Sequence, residues 1–295
     1  MHTRNNDSQV RASETQKCTL VSVILNVILS IFQVAAGMIS GSQGLIADGI
    51  HSFSDLFSDF VVMVANKKSQ QDSDNDHHYG HLRFENGAKF IIGGILLFVG
   101  LGMLWSAGNK LFHGQSHQEV KTIALWVSLL ALGIKEILFR YMLATGRRIN
   151  SSLLIANAWH ARSDAASSVV VAFGITGNLL GLHSMDLLAA FIVAIFIARM
   201  GYLFASDALH DLMDRSVDAQ TELAIRNCLL TTDGVLGLHD LKTRKMGDYA
   251  LVDVHLEVSK EISIREGHDI AVEARKRVMN HCNVLNVMTH IDPDH

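Results

Sequence analysis

The sequence predicts a membrane all-α six-helix bundle joined to a small cytosolic α+β domain with elements in the order αββαβ. Three observations carry that expectation. Six apolar runs, each near the length a spanning helix needs, occupy the first two thirds of the 295 residues. After Ser206 the chain takes on ordinary soluble composition. Within that last part, period-two alternation and helix-start signals replace the long apolar runs.

A spanning helix needs about 20 largely apolar residues. The runs Leu20–Met38, Leu45–Ala65, Phe90–Leu111, Thr122–Leu143, Leu153–Leu182 and Leu187–Ala205 meet or approach that length. The second and fifth are weakest by hydropathy, because they carry charge and histidine inside. Ionisable groups at membrane depth are costly, so they face a protein interior or a water-filled path. Residues 1–17 form a polar N-terminal tail, basic at Arg4, Arg11 and Lys17. The run that follows is too long for a signal-peptide core and lacks a clear small-residue cleavage site, so it reads as a retained helix. The membrane part is expected over residues 18–206 and the cytosolic domain over 207–295.

Basic residues in short loops set orientation. The tail, the second connection (Lys67, Lys68, Arg83, Lys89) and the end of the fourth helix (Arg140, Arg147, Arg148) are basic; the first and fifth connections have no Lys or Arg. Both termini are therefore expected in the cytoplasm. Short loops and compact length lean toward a bacterial inner membrane.

In the cytosolic part, Ala219–Leu230 reads as a helix with Asp218 near its N-cap. Val235–Met246 and Tyr249–Ser259 read as strands around a Gly247-Asp248 turn. Val252, Val254, Leu256 and Val258 share one face of the second strand; Asp253, His255 and Glu257 share the other. Ser263 and Glu266 have capping-box spacing for a helix running to about Met279. A last strand, Val284–Ile291, precedes the only proline, Pro293.

A net charge of −4 gives no reason to expect a nucleic-acid partner. The three cysteines (Cys18, Cys228, Cys282) have neither CxxC pairing nor zinc-knuckle spacing and read as reduced thiols. Histidine is the anomaly, with 16 copies, several beside aspartates. Imidazole is the commonest transition-metal ligand.

His51 and Asp55 lie four residues apart in the second helix, and His160 and Asp164 repeat that spacing in the fifth. Each pair projects from one helical face. On packed helices the pairs supply two imidazoles and two carboxylates, a plausible tetrahedral set for Zn2+. Two carboxylates neutralise one divalent cation, so the loaded site is tolerable at membrane depth. Emptied, it holds like charges out of water, which favours taking up protons. Metal and protons then compete for the same atoms. Asp48, one turn before His51, is placed either to assist metal entry or to serve a helix end or cap, the second being favoured. The second connection, Asp72-Ser73-Asp74-Asn75-Asp76-His77-His78-Tyr79-Gly80-His81, is dense enough in acid and imidazole either to capture metal or to stay solvated. In the cytosolic domain His239, His255, His268 and His290 fall on different elements, with Asp240 and Asp292 beside two of them; by spacing alone this is a weak signal.

Taken together the motifs resemble the cation diffusion facilitator family. They are Ser40-Gly41-Ser42, Leu45-Ile46-Ala47-Asp48, His51-Ser52-Phe53-Ser54-Asp55, His78-Tyr79-Gly80-His81 with Arg83-Phe84-Glu85, and Asn157-Ala158-Trp159-His160-Ala161-Arg162-Ser163-Asp164. Val235-Leu236-Gly237-Leu238-His239-Asp240 and His290-Ile291-Asp292-Pro293 complete the set. The resemblance covers almost the whole chain after the tail, in the family's order. It implies a homodimer of six-helix subunits with a metallochaperone-like cytosolic domain, embedded in a lipid bilayer and exporting divalent metal by alternating access in exchange for protons. It assigns the transport ligands to His51, Asp55, His160 and Asp164 and a loop site to Asp74, His77 and His81. A third site, at the dimer interface of the cytosolic domains, falls to His239, His255, His268, His290 and Asp292. Arg83 and Asp214 take the places of a charge pair that locks subunits together at the membrane surface. Two histidines with two carboxylates suit a borderline-soft, four-coordinate ion, which favours zinc over manganese, with iron, cobalt and cadmium open. Three rivals are weaker. A di-metal membrane enzyme needs an open coordination position, a membrane-anchored metal sensor has no use for charges buried in its helices, and a channel needs weak sites.

Overall fold

The computed structural model describes residues 2–69, 71–113, 119–149, 152–247 and 249–294. The side chains of residues 2–16, 59, 62, 66, 152, 153, 156 and 160 lie outside that description. Two compact units emerge, one of residues 1–61 and 92–203, the other of 62–91 and 204–295.

Six long helices come first: α1 (His2–Ser40), α2 (Gln43–Ser69), α3 (Arg83–Phe112), α4 (Ile123–Arg148), α5 (Ser152–Leu179) and α6 (Met185–Leu212). α1, α2, α3 and α6 contain the apolar runs read from the sequence and extend past them, whereas α4 starts one residue after Thr122 and α5 ends at Leu179, three residues short of the predicted Leu182. Among the described residues, three are long and apolar enough to cross a membrane on composition alone: α1 from Lys17 to Ser40, α3 and α6. The sequence reading names α2 and α5 as the weak spans, and α4 joins them. Its hydropathy is broken by Lys135, Glu136 and Arg140. These three helices are long enough to span, at 27, 26 and 28 residues, but they carry the ionisable groups.

Helix packing in the first unit relies on close backbone approach, as expected where lipid tails remove the usual hydrophobic drive. A Cβ at Gly100 on α3 would stand 2.5 Å from the Ala198 nitrogen of α6, so only glycine fits there. Near the α4–α5 connection a core gathers Cys18, Leu138, Phe139, Met142, Ile149, Leu154 and Ala158. At the other end Asp186, in the first turn of α6, caps α2 from outside that helix. Its carboxylate accepts from the Ser42 hydroxyl (2.6 Å), the Gln43 N–H (2.7 Å) and the Gly44 N–H (3.3 Å). The free N–H groups and the helix dipole together favour an anion there.

The second unit contains α7 (Ala219–Leu230), β1 (Gly237–Met246), β2 (Tyr249–Val258), α8 (Ile264–His281) and β3 (Val284–Pro293), the αββαβ order read from the sequence. Asp218 caps α7 through the Gln220 and Thr221 N–H groups, and Ser263 and Glu266 form a complete capping box on α8. Gly247 takes φ 61°, the left-handed conformation that its turn between β1 and β2 demands of a residue without a Cβ. The sheet order is β1-β2-β3, antiparallel then parallel. Val252, Val254 and Leu256 of β2 pack with Ile225, Leu229, Ala274 and Val278 in one core, while Asp253, His255 and Glu257 stay on the opposite, wetter face. α8 and β3 each run two residues beyond the predicted ends.

Candidate metal centres

The residues singled out in α2 and α5 come together. His51, Asp55 and Asp164 each offer a ligand atom within 4.8 Å of the others. His51 Nδ1 lies 3.4 Å from Asp55 Oδ2, the contact that i,i+4 spacing provides. Asp164 is delivered by α5. His160 stands four residues before it on the same helix, and its side chain lies outside the described residues. His51 is only 7 % exposed, and Asp55 and Asp164 are half-buried. Carboxylates taken out of water without compensation are expensive, and the three residues together could hold a metal ion.

Asp48 is not a helix-end or capping residue. It lies inside α2, 1 % exposed, and accepts from Gln33 Nε2 (2.5 Å), Ser167 Oγ (2.8 Å) and Ser168 Oγ (2.6 Å). The capping expectation fails because α2 begins at Gln43, a full turn earlier, and Asp186 supplies its cap.

In the connection between α2 and α3, Asp74, His77 and His81 form a second group, also within 4.8 Å. Asp74 Oδ1 lies 3.3 Å from His77 Nδ1, and Asp74 Oδ2 lies 3.3 Å from His81 Nε2. The His81 Nδ1 is 3.1 Å from the Asp72 carbonyl, a contact that orients the ring with Nε2 toward Asp74. The His77 backbone N–H, first among several donors, holds the Asp74 carboxyl below its ordinary value. His81 is buried where Asp74 and His77 are exposed, so one ligand is anchored and two are open to solvent.

The third group depends on strand register. His239 pairs with His255 across β1 and β2, and His255 with His290 across β2 and β3, setting three imidazoles abreast. Asp292 crosses from β3 to meet them. Its Oδ2 lies 2.8 Å from His255 Nδ1 and 3.2 Å from His239 Nε2, and its Oδ1 3.4 Å from His290 Nε2. The His255 hydrogen bond, followed by the nearby imidazole charges, pulls the Asp292 carboxyl below its ordinary value. Glu257, opposite Asp292 in register, adds an oxygen 3.9 Å from His239. A register shift follows His239, with Asp240 at φ 49°. Asp240 is thus spent on a bulge. His268 sits exposed on α8, outside the three side chains that gather as ligands in one chain.

Arg83 and Asp214 do pair, within a single chain, through Arg83 Nη2. The same guanidinium reaches the Leu212 carbonyl (3.4 Å) and Met246 Sδ (3.3 Å), so it ties the start of α3 to the turn after α6. Sequence reasoning passed over Lys135, Gln33, Ser167, Ser168 and Asp186. Lys135 had a visible signal, a lysine inside an apolar span.

Two family models match the chain in succession from residue 19 to residue 294. The cation efflux transmembrane domain covers residues 19–213, and the cation efflux protein cytoplasmic domain covers 217–294. These matches define a membrane transporter of metal cations, not an enzyme. The chain belongs to the cation diffusion facilitator family. It is 34 % identical to an uncharacterized transporter of Methanocaldococcus jannaschii over 95 % of this chain and 98 % of that one. It is 30 % identical to a manganese efflux system protein of Bacillus subtilis, over 93 % of this chain and 94 % of that one. A magnetosome protein of Magnetospira is also 30 % identical, over 86 % of each chain.

Proposed function

We propose that this transporter exports zinc from the cytoplasm in exchange for protons, by alternating access of a site made of His51, Asp55, His160 and Asp164. The observation that carries this reading is the meeting of His51, Asp55 and Asp164, with His160 one turn from Asp164 on α5. Two nitrogens and two carboxylate oxygens suit a tetrahedral zinc ion, where manganese favours more oxygen ligands. Metal arrival displaces protons from the same carboxylates, and their return on the far side resets the site.

Both termini lie in the cytoplasm of a bacterial inner membrane in this account, by the basic loops, and the chain divides at about residue 206. Asp74, His77 and His81 collect metal on the cytosolic side. The chain works as a homodimer in which His239, His255, His290 and Asp292 hold a structural zinc, with His268 supplied by the partner subunit. The Arg83–Asp214 pair stiffens the turn after α6, and the subunit-locking role expected for it is part of this proposal. Manganese is the rival cargo, since two relatives are manganese efflux system proteins.

Reconstituted vesicles carrying a trapped metal reporter and an imposed pH gradient test this. Zinc should accumulate against its gradient, ahead of manganese, iron(II), cobalt and cadmium, and both Asp55→Ala and Asp164→Ala should abolish it. Flux that persists in both variants, or zinc that binds and never moves, sinks the reading in favour of a sensor.

A further inference from the structure

One buried charge pair stands beside the ligand group without belonging to it. Lys135 on α4 is 4 % exposed, and its ammonium lies 2.7 Å from Ser168 Oγ, 3.1 Å from Ser52 Oγ and 3.6 Å from Asp48 Oδ2. With Gln33 from α1 and Ser167 from α5 donating to Asp48, four helices meet in one polar layer. Every member of that layer is buried.

The position of this layer is set by the helices. Asp48 precedes His51 by three residues on α2, and Ser167 and Ser168 follow Asp164 by three and four on α5. At 1.5 Å per residue Asp48 lies about 5 Å from His51 on the side of the α1–α2 connection, while Ser52, next to His51, reaches Lys135 from the level of the ligand group. That α5 reaches the same end is clear from Asp186, just past the α5–α6 connection, whose carboxylate caps α2 there. The two sides of the ligand group therefore differ. Asp55 and Asp164 keep partial exposure, whereas the residues toward the α1–α2 end are closed.

We propose that the Asp48–Lys135 pair is the gate that shuts the metal site from the α1–α2 end of the bundle, and that metal leaves when this pair separates. The inference rests on the transport reading above. Its chemistry differs from that of an apolar plug. A lysine cation repels a dication that tries to pass while the pair is formed. Once the pair parts, the Asp48 carboxylate and the serine hydroxyls present oxygen ligands along the opened path. Ser167 couples the two layers. Its single proton has two acceptors, the Asp164 carbonyl at 2.7 Å and Asp48 at 2.8 Å, so a shift of α5 at Asp164 is felt at Asp48. A purely structural pair is often replaced by an apolar pair of similar volume without loss of stability.

The test uses the full chain in vesicles with a trapped zinc reporter and a trapped pH reporter. The variants are Lys135→Met, Asp48→Asn and Lys135→Arg. Lys135→Met should let zinc run down its own gradient without matched proton movement, and its accumulation ratio under a pH gradient should fall by about tenfold or more. Asp48→Asn, nearly the same shape, should leak in the same way and covers the case in which Lys135→Met does not assemble. Lys135→Arg, which keeps the cation, should restore proton-matched flux. Parent-like accumulation in Lys135→Met, or loss of flux with no leak in both neutral variants, overturns the gate and leaves transport standing. Failure of both to assemble makes the pair a folding element and overturns it too. A parent that accumulates no zinc overturns the transport reading itself.

Discussion

The group in the helices and the group on the sheet use the same two residue types in opposite surroundings. His51 and Asp55 have side chains 9 % and 15 % exposed, whereas His239 and Asp292 are 48 % and 29 % exposed. A carboxylate in water tolerates its charge whether or not metal is present. One inside a helix bundle does not, and its state must change with what it holds. On the proposed reading, the group in the helices loads and releases metal and the wet group keeps a resident ion. The loop group stands between them, with His81 buried and Asp74 solvated.

Removing a ligand from each group breaks this comparison most directly. Asp164→Ala should lower zinc affinity at the buried group by at least ~100-fold and stop flux, since a four-ligand ion loses a charge as well as a bond. The readout is equilibrium binding beside vesicle uptake. Asp292→Ala should cost the cytosolic group roughly 10- to 100-fold in affinity while flux under a saturating metal gradient persists. An equal loss of flux in both variants would erase the distinction drawn between them.

These two groups were not equally legible in the sequence. The i,i+4 spacing of His51–Asp55 and His160–Asp164 is a local property of a helix, so the pattern alone names them. Convergence at Asp292 depends on β1–β2 and β2–β3 register, which no local pattern encodes, and there the family resemblance carried the assignment. His268 followed that resemblance and stands apart within one chain. Capping at Ser263 was readable for the same local reason as the helix pairs. Lys135 was visible as a lysine in an apolar span, but its partners lie on two other helices, α2 and α5. Asp186 had no signal at all, because it serves backbone N–H groups more than 140 residues away.

Two smaller effects sharpen the view that the cytosolic fold stands on its own core, apart from metal. Leu256→Ala, at a fully buried position on β2, should destabilise that fold by roughly 2–5 kcal/mol with the His255 face of the strand untouched. Amide hydrogen exchange across residues 217–294 would register it. Ser263→Ala should cost about 1 kcal/mol through the lost cap on α8.

Acid should act on the same caps. The Ser263 backbone N–H, then its hydroxyl, hold the Glu266 carboxyl below its ordinary 4.5, and the Thr221 hydroxyl, then its backbone N–H, hold Asp218 below 3.8. Carboxyls depressed in the folded state stabilise it above their unfolded values, and that contribution is lost as pH falls through the folded ones. Exchange protection in α7 and α8 should therefore be flat down to about pH 4.5 and decline below it. Ser263→Ala, which removes the hydroxyl and keeps the backbone N–H, should shrink the α8 part of that decline without abolishing it.

The claim that metal and protons compete for one buried set of ligands is tested most directly by counting protons. Zinc binding to the detergent-solubilised protein, with Asp74 and Asp292 replaced by alanine to weaken the other two groups, is measured by calorimetry in buffers of different ionisation enthalpy. The account predicts release of about one to two protons per zinc bound, fewer as pH rises, and none once Asp164→Ala removes the binding. Zinc that binds there with no proton released at any pH between about 6 and 8 would contradict it.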